Sequence, residues 1–554
     1  MAGCISSNPT KGRYRGISVE KRVFTQNRFH LLNFYQSTLA LADDLQSLKR
    51  FTKPTVFEAF QRELFFSLLR QIRTLKALKH GFALIVHFSQ LEEHCVGVFF
   101  LSRPVQDKQL ERLMAIQGNR KATWSRKAVS TAVTLFASVC ALGSVQAQET
   151  FKVGIVSFLS GQAADSFGIP AINGAKVLVD AFNKGAAPAP YNKAGFGGMK
   201  IEAIYVDENG GATKQVQEMR NLYDRDKVDA VVGYVGSGDC LAVAPVAEEM
   251  KKFLILYDCG TPRIFEDGKY NYVFRTASHA AMDNVALARY LKAKDIKVNS
   301  FNMINQDYAW GQDSKKDFMW SMEKLFPGAK AGEDQLPKFG AGQYGTEISA
   351  LMSKQADVTH SSLWGGDLQA FILQANPRGL FKRTQVVFSA GDHVLPGLGD
   401  KMPDGVILGA RGAYGLMSPK SGLNDWWWDL YSKAYNVYPV QAPYRMVQSL
   451  LGLKLAVEKA MAANGGKKPN AEQLAAALRN SEWDSPAGKI RMALAGGHQA
   501  IQETAIGRTR YDAGKKMVML EDIMRFPADC VNPPANMKTE EWIKAGFPGA
   551  KGCP

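Results

Sequence analysis

From residue 150 onward, short apolar runs alternate with segments of helical spacing, and this alternation limits the chain to a parallel α/β architecture. Lys152-Val-Gly-Ile-Val-Ser157 reads as a strand, Gly161 and Gly168 punctuate the loop after it, and Ile172–Phe182 repeats its apolar residues at helical intervals. Lys200–Val206 alternates like a strand and Thr213–Arg225 reads as a helix. Val228–Gly233, Leu241–Met250 and Phe253–Tyr257 continue the cycle as strand, helix and strand. Later cycles are Ser300–Ile304 with a helix from Asp313, Val358–Leu363 with Leu368–Gln374, then Gln385–Phe388, and finally a long helix over Tyr444–Ala462. Parallel strands need a crossover, and the helices that provide it cover both faces of the sheet. A region of about 400 residues exceeds one ordinary core and predicts two domains. No fixed-period repeat is present.

A second feature divides the chain. Residues Ala128 to Val145 carry no charge, follow Arg120, Lys121, Arg126 and Lys127, and end at Val145-Gln-Ala147. A basic segment, an apolar segment and a small-residue exit make a secretory signal. It is too short and too rich in Ala, Ser and Thr for a membrane span. Signals act at the N-terminus, so Met114 is the expected start, 114–147 the signal, and 1–113 an extension from a misassigned start. Residues 1–147 hold 21 Lys and Arg against 9 Asp and Glu, which leaves +4 of the total +16 for the remainder. The basic balance is therefore not a nucleic-acid footprint, and no reading motif accompanies it. The expected product is a periplasmic protein without a lipid anchor, since Cys140 lies inside the apolar run.

In an open parallel sheet, ligands sit where the strand carboxyl ends lead into helices. Two such loops are suggestive: Gly233-Tyr-Val-Gly-Ser-Gly-Asp-Cys240 and Asp258-Cys-Gly-Thr-Pro262. Each sets a hydroxyl, Ser237 or Thr261, beside glycine, which lets a ligand approach the backbone. Free amides at the following helix start favour a carboxylate. The plainer reading is helix capping. Gly-Ser-Gly lacks the spacing of a dinucleotide fingerprint.

Several segments, in order, resemble the periplasmic branched-chain amino-acid binding proteins, the solute receptors of ABC importers. They are Val153–Gly161, Asn173-Gly-Ala-Lys176, Asp226–Gly233 with Ser237-Gly238 and Ala242–Glu248, Asp307-Tyr-Ala-Trp-Gly311, and Ala442-Pro-Tyr-Arg-Met-Val-Gln448. The resemblance runs over 150–525. It implies a type I periplasmic-binding fold: two doubly wound lobes joined by three hinge crossings, closing on a solute. The first lobe would be 150–277 with 416–500, the second 278–415 with 501–528, and 529–554 a C-terminal tail.

The resemblance also implies a site. Ser237 and Gly238, with Cys259, Gly260 and Thr261, would hold a ligand carboxylate. Tyr308 would cover the ligand and Trp364 would line its side-chain pocket, although either could simply pack. An acidic residue near Ala390-Gly-Asp-His393 pairs the ammonium in amino-acid binders, and the register here gives Ala390 or Asp392. If Asp392 does not reach the site, a carboxylate without an ammonium, or an amide, fits better. Of Trp426-Trp-Trp428, at most one faces a cleft, because consecutive helical residues point in different directions.

Four cysteines follow residue 148, and an even count in an oxidising compartment suggests two disulfides from three possible pairings. Cys240–Cys259 with Cys530–Cys553 is the favoured set, the first because both sit on neighbouring strand-end loops. A free Cys259 thiol in the pocket is the alternative. No nucleophile elbow, P-loop or metal-ligand spacing is present, so neither catalysis nor a metal or cofactor is expected. The expected function is capture of a small solute, as a monomer, for an ABC permease in the inner membrane. The alternative is a sensor that signals to a membrane receptor.

Overall fold

The structure is a computed structural model that describes residues 149–554; the expected signal at 114–147 and the extension 1–113 lie outside the described residues. Two sheets carry the fold. The first holds β1 (Thr150–Ser157), β2 (Lys200–Asp207), β3 (Ala230–Gly233), β4 (Leu254–Leu256) and β5 (Val273–Arg275), joined late in the chain by β11 (Glu482–Ser485), β12 (Gly488–Leu494) and β13 (Gln499–Ile501). Its order is β11-β12-β13-β5-β4-β3-β1-β2. The second holds β6 (Ser300–Ile304), β7 (Lys330–Gln335), β8 (Val358–Ser361), β9 (Gln385–Phe388) and β10 (Ile407–Gly409), joined by β14 (Thr504–Asp512) and β15 (Met517–Phe526). Its order is β15-β14-β10-β9-β8-β6-β7.

The central strands are continuous apolar runs because helices cover both of their faces. Every residue of β3, β4 and β5 is buried. Phe151, Val153 and Ile155 of β1 share a core with Ala171, Leu178 and Phe182 of the helix Ile169–Asn183. The alternation in the sequence thus yields the expected two-sheet α/β fold. Its late strands were not anticipated, and they pair antiparallel: β11 with β12, β12 with β13, β10 with β14 and β14 with β15. The turns at Pro486-Ala487 and Ala513–Lys516 are too short to hold a crossover helix, so β12 folds back on β11 and β15 on β14.

The chain passes between the sheets three times, after β5, after β10 and after β13. The three passages share one buried hydrogen-bond network centred on the long helix Gln441–Ala463. Gln448 donates to the carbonyl of Thr276 in the first passage and to Gln502 Oε1 in the third at 2.7 Å, and accepts from Tyr414 in the second at 3.1 Å. Gln502 donates in turn to the Tyr414 hydroxyl at 2.6 Å, and the Thr276 and Ser449 hydroxyls meet at 2.6 Å. Every member is buried and paired, which fixes the register of the three passages.

The same helix carries a buried cation. Lys454 Nζ donates to the carbonyls of Lys193 and Gly195 and to Glu458 Oε1, at 2.7, 2.6 and 2.7 Å. Substituting Lys454→Met keeps the apolar stem and leaves those acceptors without their donor. It is expected to cost roughly 2–4 kcal/mol, measured as a lowered midpoint of urea unfolding; an unchanged midpoint would show that water replaces the ammonium.

Candidate functional site

Loops at the carboxyl ends of both sheets' strands converge on one cavity, Val235 after β3 and Ala390 after β9 among their residues. Phe167 comes from the segment after β1, Asp258 and Gly260 from the loop after β4, Tyr308 and Trp310 from the turn after β6, Trp364 from the end of β8, and Arg411 from the passage after β10. The space they leave is about that of one water molecule. A larger solute therefore enters only when the two sheets part.

Arg411 is the electrostatic centre. Its Nε donates to Asp283 Oδ2 at 2.9 Å, its Nη2 to the Ser278 carbonyl at 3.0 Å, and its Nη1 to Asp258 Oδ1. The guanidinium lies 4.3 Å from the centroid of the Trp310 ring, a cation–π arrangement that gains strength when desolvated. Asp258 Oδ2 faces Arg445 Nη1 at 2.5 Å, and Arg275 donates to the carbonyls of Cys259 and Thr261. Burial pulls the Arg411 pKa down, but the Asp258 and Asp283 carboxylates more than offset it and the net direction is upward. Burial, then the nearby Arg411 cation, pulls Arg275 down to about 9, and burial pushes Asp283 up to about 6 despite its arginine neighbours. Three arginines, Arg275, Arg411 and Arg445, thus gather about the Asp258 and Asp283 carboxylates, and of these groups Arg411 and Asp258 line the cavity.

The walls are aromatic. Trp364 Nε1 donates to the Tyr308 hydroxyl at 2.7 Å. The Trp364 ring meets Phe167 edge-on at 5.2 Å and stacks on Phe339 at 5.3 Å, while Phe158 lies 6.0 Å away. Burial pushes the Tyr308 phenol up, so it stays neutral and acts as a donor or acceptor. Phe339 is 40% exposed and marks the rim.

The sequence-derived candidates fall into two groups. Gly260, Tyr308 and Trp364 line the cavity. Ser237 and Thr261 are buried beside it and bonded to each other, with the Thr261 amide donating to Ser237 Oγ at 3.3 Å. The Thr261 hydroxyl is directed to Asp313 Oδ2 at 2.6 Å, across to the second-sheet side. Gly238 is exposed on the first turn of the helix Ser237–Glu249. Cys259 is bonded to Cys240, which clamps the loop carrying Asp258 and Gly260 to that helix. Cys530 is bonded to Cys553 in the C-terminal tail. Asp392 is buried behind the cavity, where it accepts from the Gln441 amide at 2.8 Å and from Gln441 Nε2 at 2.6 Å. Of the three tryptophans, Trp427 packs on Tyr431 and Tyr444, and Trp428 stacks on Tyr438.

Two backbone amides just before the helix Ser237–Glu249 are taken by a side chain of the protein itself. Glu208, at the end of β2, accepts from the backbone N–H of Val235 at 2.7 Å and of Gly236 at 2.7 Å. The Glu208 side chain thereby ties the end of β2 to the loop before the helix Ser237–Glu249. Burial, with Asp239 nearby, pushes the Glu208 pKa well up. Sequence reasoning missed Glu208, Trp310 and Arg411. The only local signal for Arg411 is a charged residue set between small ones, Gly409-Ala-Arg-Gly-Ala413, directly after an apolar run. Gly260 is required by close approach: a Cβ there would lie 2.0 Å from Trp310 Cε3 and 2.9 Å from Arg411 Nη2.

A family model described as periplasmic binding protein matches residues 150–515. Among curated proteins none matches the chain. Several solved structures share its fold. A solute-binding protein of an ABC transporter from Rhodopseudomonas palustris BisB5, in complex with 3,4-dihydroxybenzoic acid, has TM-score 0.59 and 23% identity, covering 70% of this chain and 99% of its own. A second from R. palustris, in complex with 4-hydroxybenzoate, has TM-score 0.59 and 21% identity, with 69% and 98% covered. The leucine-binding protein LivK of Thermotoga maritima has TM-score 0.55 and 17% identity, with 68% and 99% covered.

Two outcomes follow from the geometry. Gly260→Ala is expected to destabilise by about 1–3 kcal/mol, because Trp310 must leave its seat. Gly238→Ala, where a Cβ meets nothing within 4 Å, should be close to neutral; equal unfolding midpoints for the two variants would refute the packing argument. Burial pushes Asp392 up to about 7, against the hydrogen bonds from Gln441 that favour its charged form. The folded state then holds a proton that the unfolded state releases at a carboxyl pKa near 4. This contribution is fully present below pH of about 4 and is lost as pH rises to about 7. Asp392→Asn should flatten that part of the stability–pH profile; an unaltered slope would place the proton elsewhere.

Proposed function

The chain belongs to the periplasmic binding protein family, and from that premise we propose that it captures a small aromatic carboxylate outside the inner membrane and delivers it to an ABC permease. The observation that carries this reading is the pairing of Asp258, Asp392 and Glu208 around a cavity that Arg411 lines. Asp258 meets Arg411 and Arg445, Asp392 meets Gln441 twice, and Glu208 meets the amides of Val235 and Gly236. Asp258, the carboxylate that lines the cavity, has an arginine beside each of its oxygens, so a bound ammonium would compete with Arg411 and Arg445 for it. A solute carboxylate finds an arginine that uses three of its five N–H groups. An aromatic ring beside that carboxylate would lie among Phe167, Tyr308, Trp310 and Trp364.

The mechanism is closure. Solute would bind one sheet's loops first, and the other sheet's loops would then complete the contacts. The closed arrangement is favoured by the difference between the two sets of contacts. Tyr308, Trp310 and Trp364 approach from the second sheet, and Asp258, Gly260 and Phe167 from the first, so neither half alone makes the whole site. A permease would read the closed shape.

A thermal-shift screen tests this with benzoate, 4-hydroxybenzoate, acetamide, urea and leucine. Benzoates are expected to raise the melting temperature, with about 2.7 kcal/mol of stabilisation at a hundredfold excess over Kd, and leucine is not. Arg411→Lys keeps the charge but loses the planar fork, and should weaken benzoate binding tenfold or more. A response to leucine alone would sink the assignment.

A further inference from the structure

Residues 528–554 lie beyond the segment matched by the family model, which ends at 515. They form two short helices, Ala528–Val531 and Thr539–Lys544, closed into a loop by the Cys530–Cys553 disulfide, whose Cα atoms are 5.2 Å apart. The loop is seated on the second-sheet half. Cys530, Val531, Trp542, Ile543 and Phe547 are buried in one cluster with Leu287 and Leu291 of the helix Ala280–Ala293 and with Phe318 and Met322 of the helix Ala309–Leu325. Lys544 lies over the Trp320 ring at 4.5 Å and Arg289 over the Phe547 ring at 4.7 Å.

From that seat the loop reaches across to the first-sheet half. The Thr539 backbone N–H and its hydroxyl both donate to Glu266 Oε1, at 2.9 and 2.6 Å. Lys538 pairs with Asp267 at 3.1 Å, and Asp529 pairs with Arg491 of β12 at 2.7 Å. Glu266 ends the short helix Arg263–Glu266, which directly follows Asp258, Gly260 and Thr261. The start of this helix is already bridged to the second half by Arg263 Nε, which donates to Asp313 Oδ1 at 2.9 Å.

We propose that the disulfide-closed tail is a clasp that biases the two halves toward closure. The inference rests on the hinge-closure reading above. Parting of the sheets would separate Thr539 from Glu266, so these bonds belong to the closed arrangement alone and shift the equilibrium toward it. The exposed pairs Lys538–Asp267 and Asp529–Arg491 add little, because solvent and salt screen them. The two donors on one half-buried carboxylate do most of the work. The disulfide keeps Thr539 in position, since it lies within the 23-residue span that the bond closes.

Small-angle X-ray scattering of the purified protein, with no solute added, tests the clasp independently of which solute is bound. Wild-type protein is expected to scatter as the closed shape. Glu266→Ala should move the open-to-closed ratio by about tenfold or more toward open, seen as a larger radius of gyration. Glu266→Gln, whose amide oxygen still accepts from both donors, should stay near wild type. Thr539→Val, which removes one donor at a buried position and keeps the shape of the side chain, should give an intermediate value and serves if Glu266→Ala proves unstable by thermal melt. A folded Glu266→Ala protein with the wild-type profile, or a wild-type profile that is already open, overturns the proposal.

Discussion

Arg411 cannot be buried alone, and much of the site follows from how it is paired. Asp258 lies after β4, Asp283 on the helix after the first passage between sheets, Arg411 in the second passage, and Arg445 on the long helix that follows. The cluster therefore joins four parts of the chain that are far apart in sequence. An intact buried ion network contributes little net stability, because desolvation offsets most of the attraction. Removing one member is costly, about 3–5 kcal/mol, since its partner is left charged and unpaired. Such a cluster acts on geometry more than on stability. It holds the loops in the one arrangement that satisfies all of the charges.

The fold was legible because strand–helix alternation is a local property. Burial on both faces makes β3 and β4 apolar throughout and β5 apolar up to Arg275, and a crossover forces the helices between them. The late antiparallel strands were not read, because β14 and β15 carry mixed sequences, with Arg508, Arg510, Glu521 and Asp522 among their apolar residues. Their pairing is set by a short turn and by the neighbouring strand β10, and the second of these is invisible in one sequence.

The site was legible in part. The strand-end loop with Gly260 could be found from the alternation, whereas Tyr308 and Trp364 were named from the family resemblance. What could not be read was which polar group satisfies which. In the loop before the helix Ser237–Glu249, two amides are taken by Glu208, 27 residues from Val235 in sequence. Thr261 has the hydroxyl of a ligand contact, but Asp313 accepts its proton. Each of these is a long-range choice among donors and acceptors, and composition and spacing do not encode it. Arg411 shows the converse. Its neighbours are small residues that could suggest an ordinary turn, and its importance comes from Asp258, Asp283 and Trp310, none of them near it in sequence.

The aromatic walls argue for the shape of the solute as the arginines argue for its charge. In the closed arrangement Phe167, Tyr308, Trp364 and Phe339 pack on one another and exclude all but about a water's volume. A solute that parts them takes away ring contacts that each contribute about 0.5–1.5 kcal/mol beyond area burial. A branched aliphatic group would restore the buried area but not the edge-to-face geometry. A planar ring restores both, with faces for Trp364 and edges for Phe167. The same ring, carrying a carboxylate, would place its anion toward the guanidinium that Trp310 already covers. A solute of this kind replaces what it displaces, and on this reading that equivalence selects it over a branched aliphatic solute.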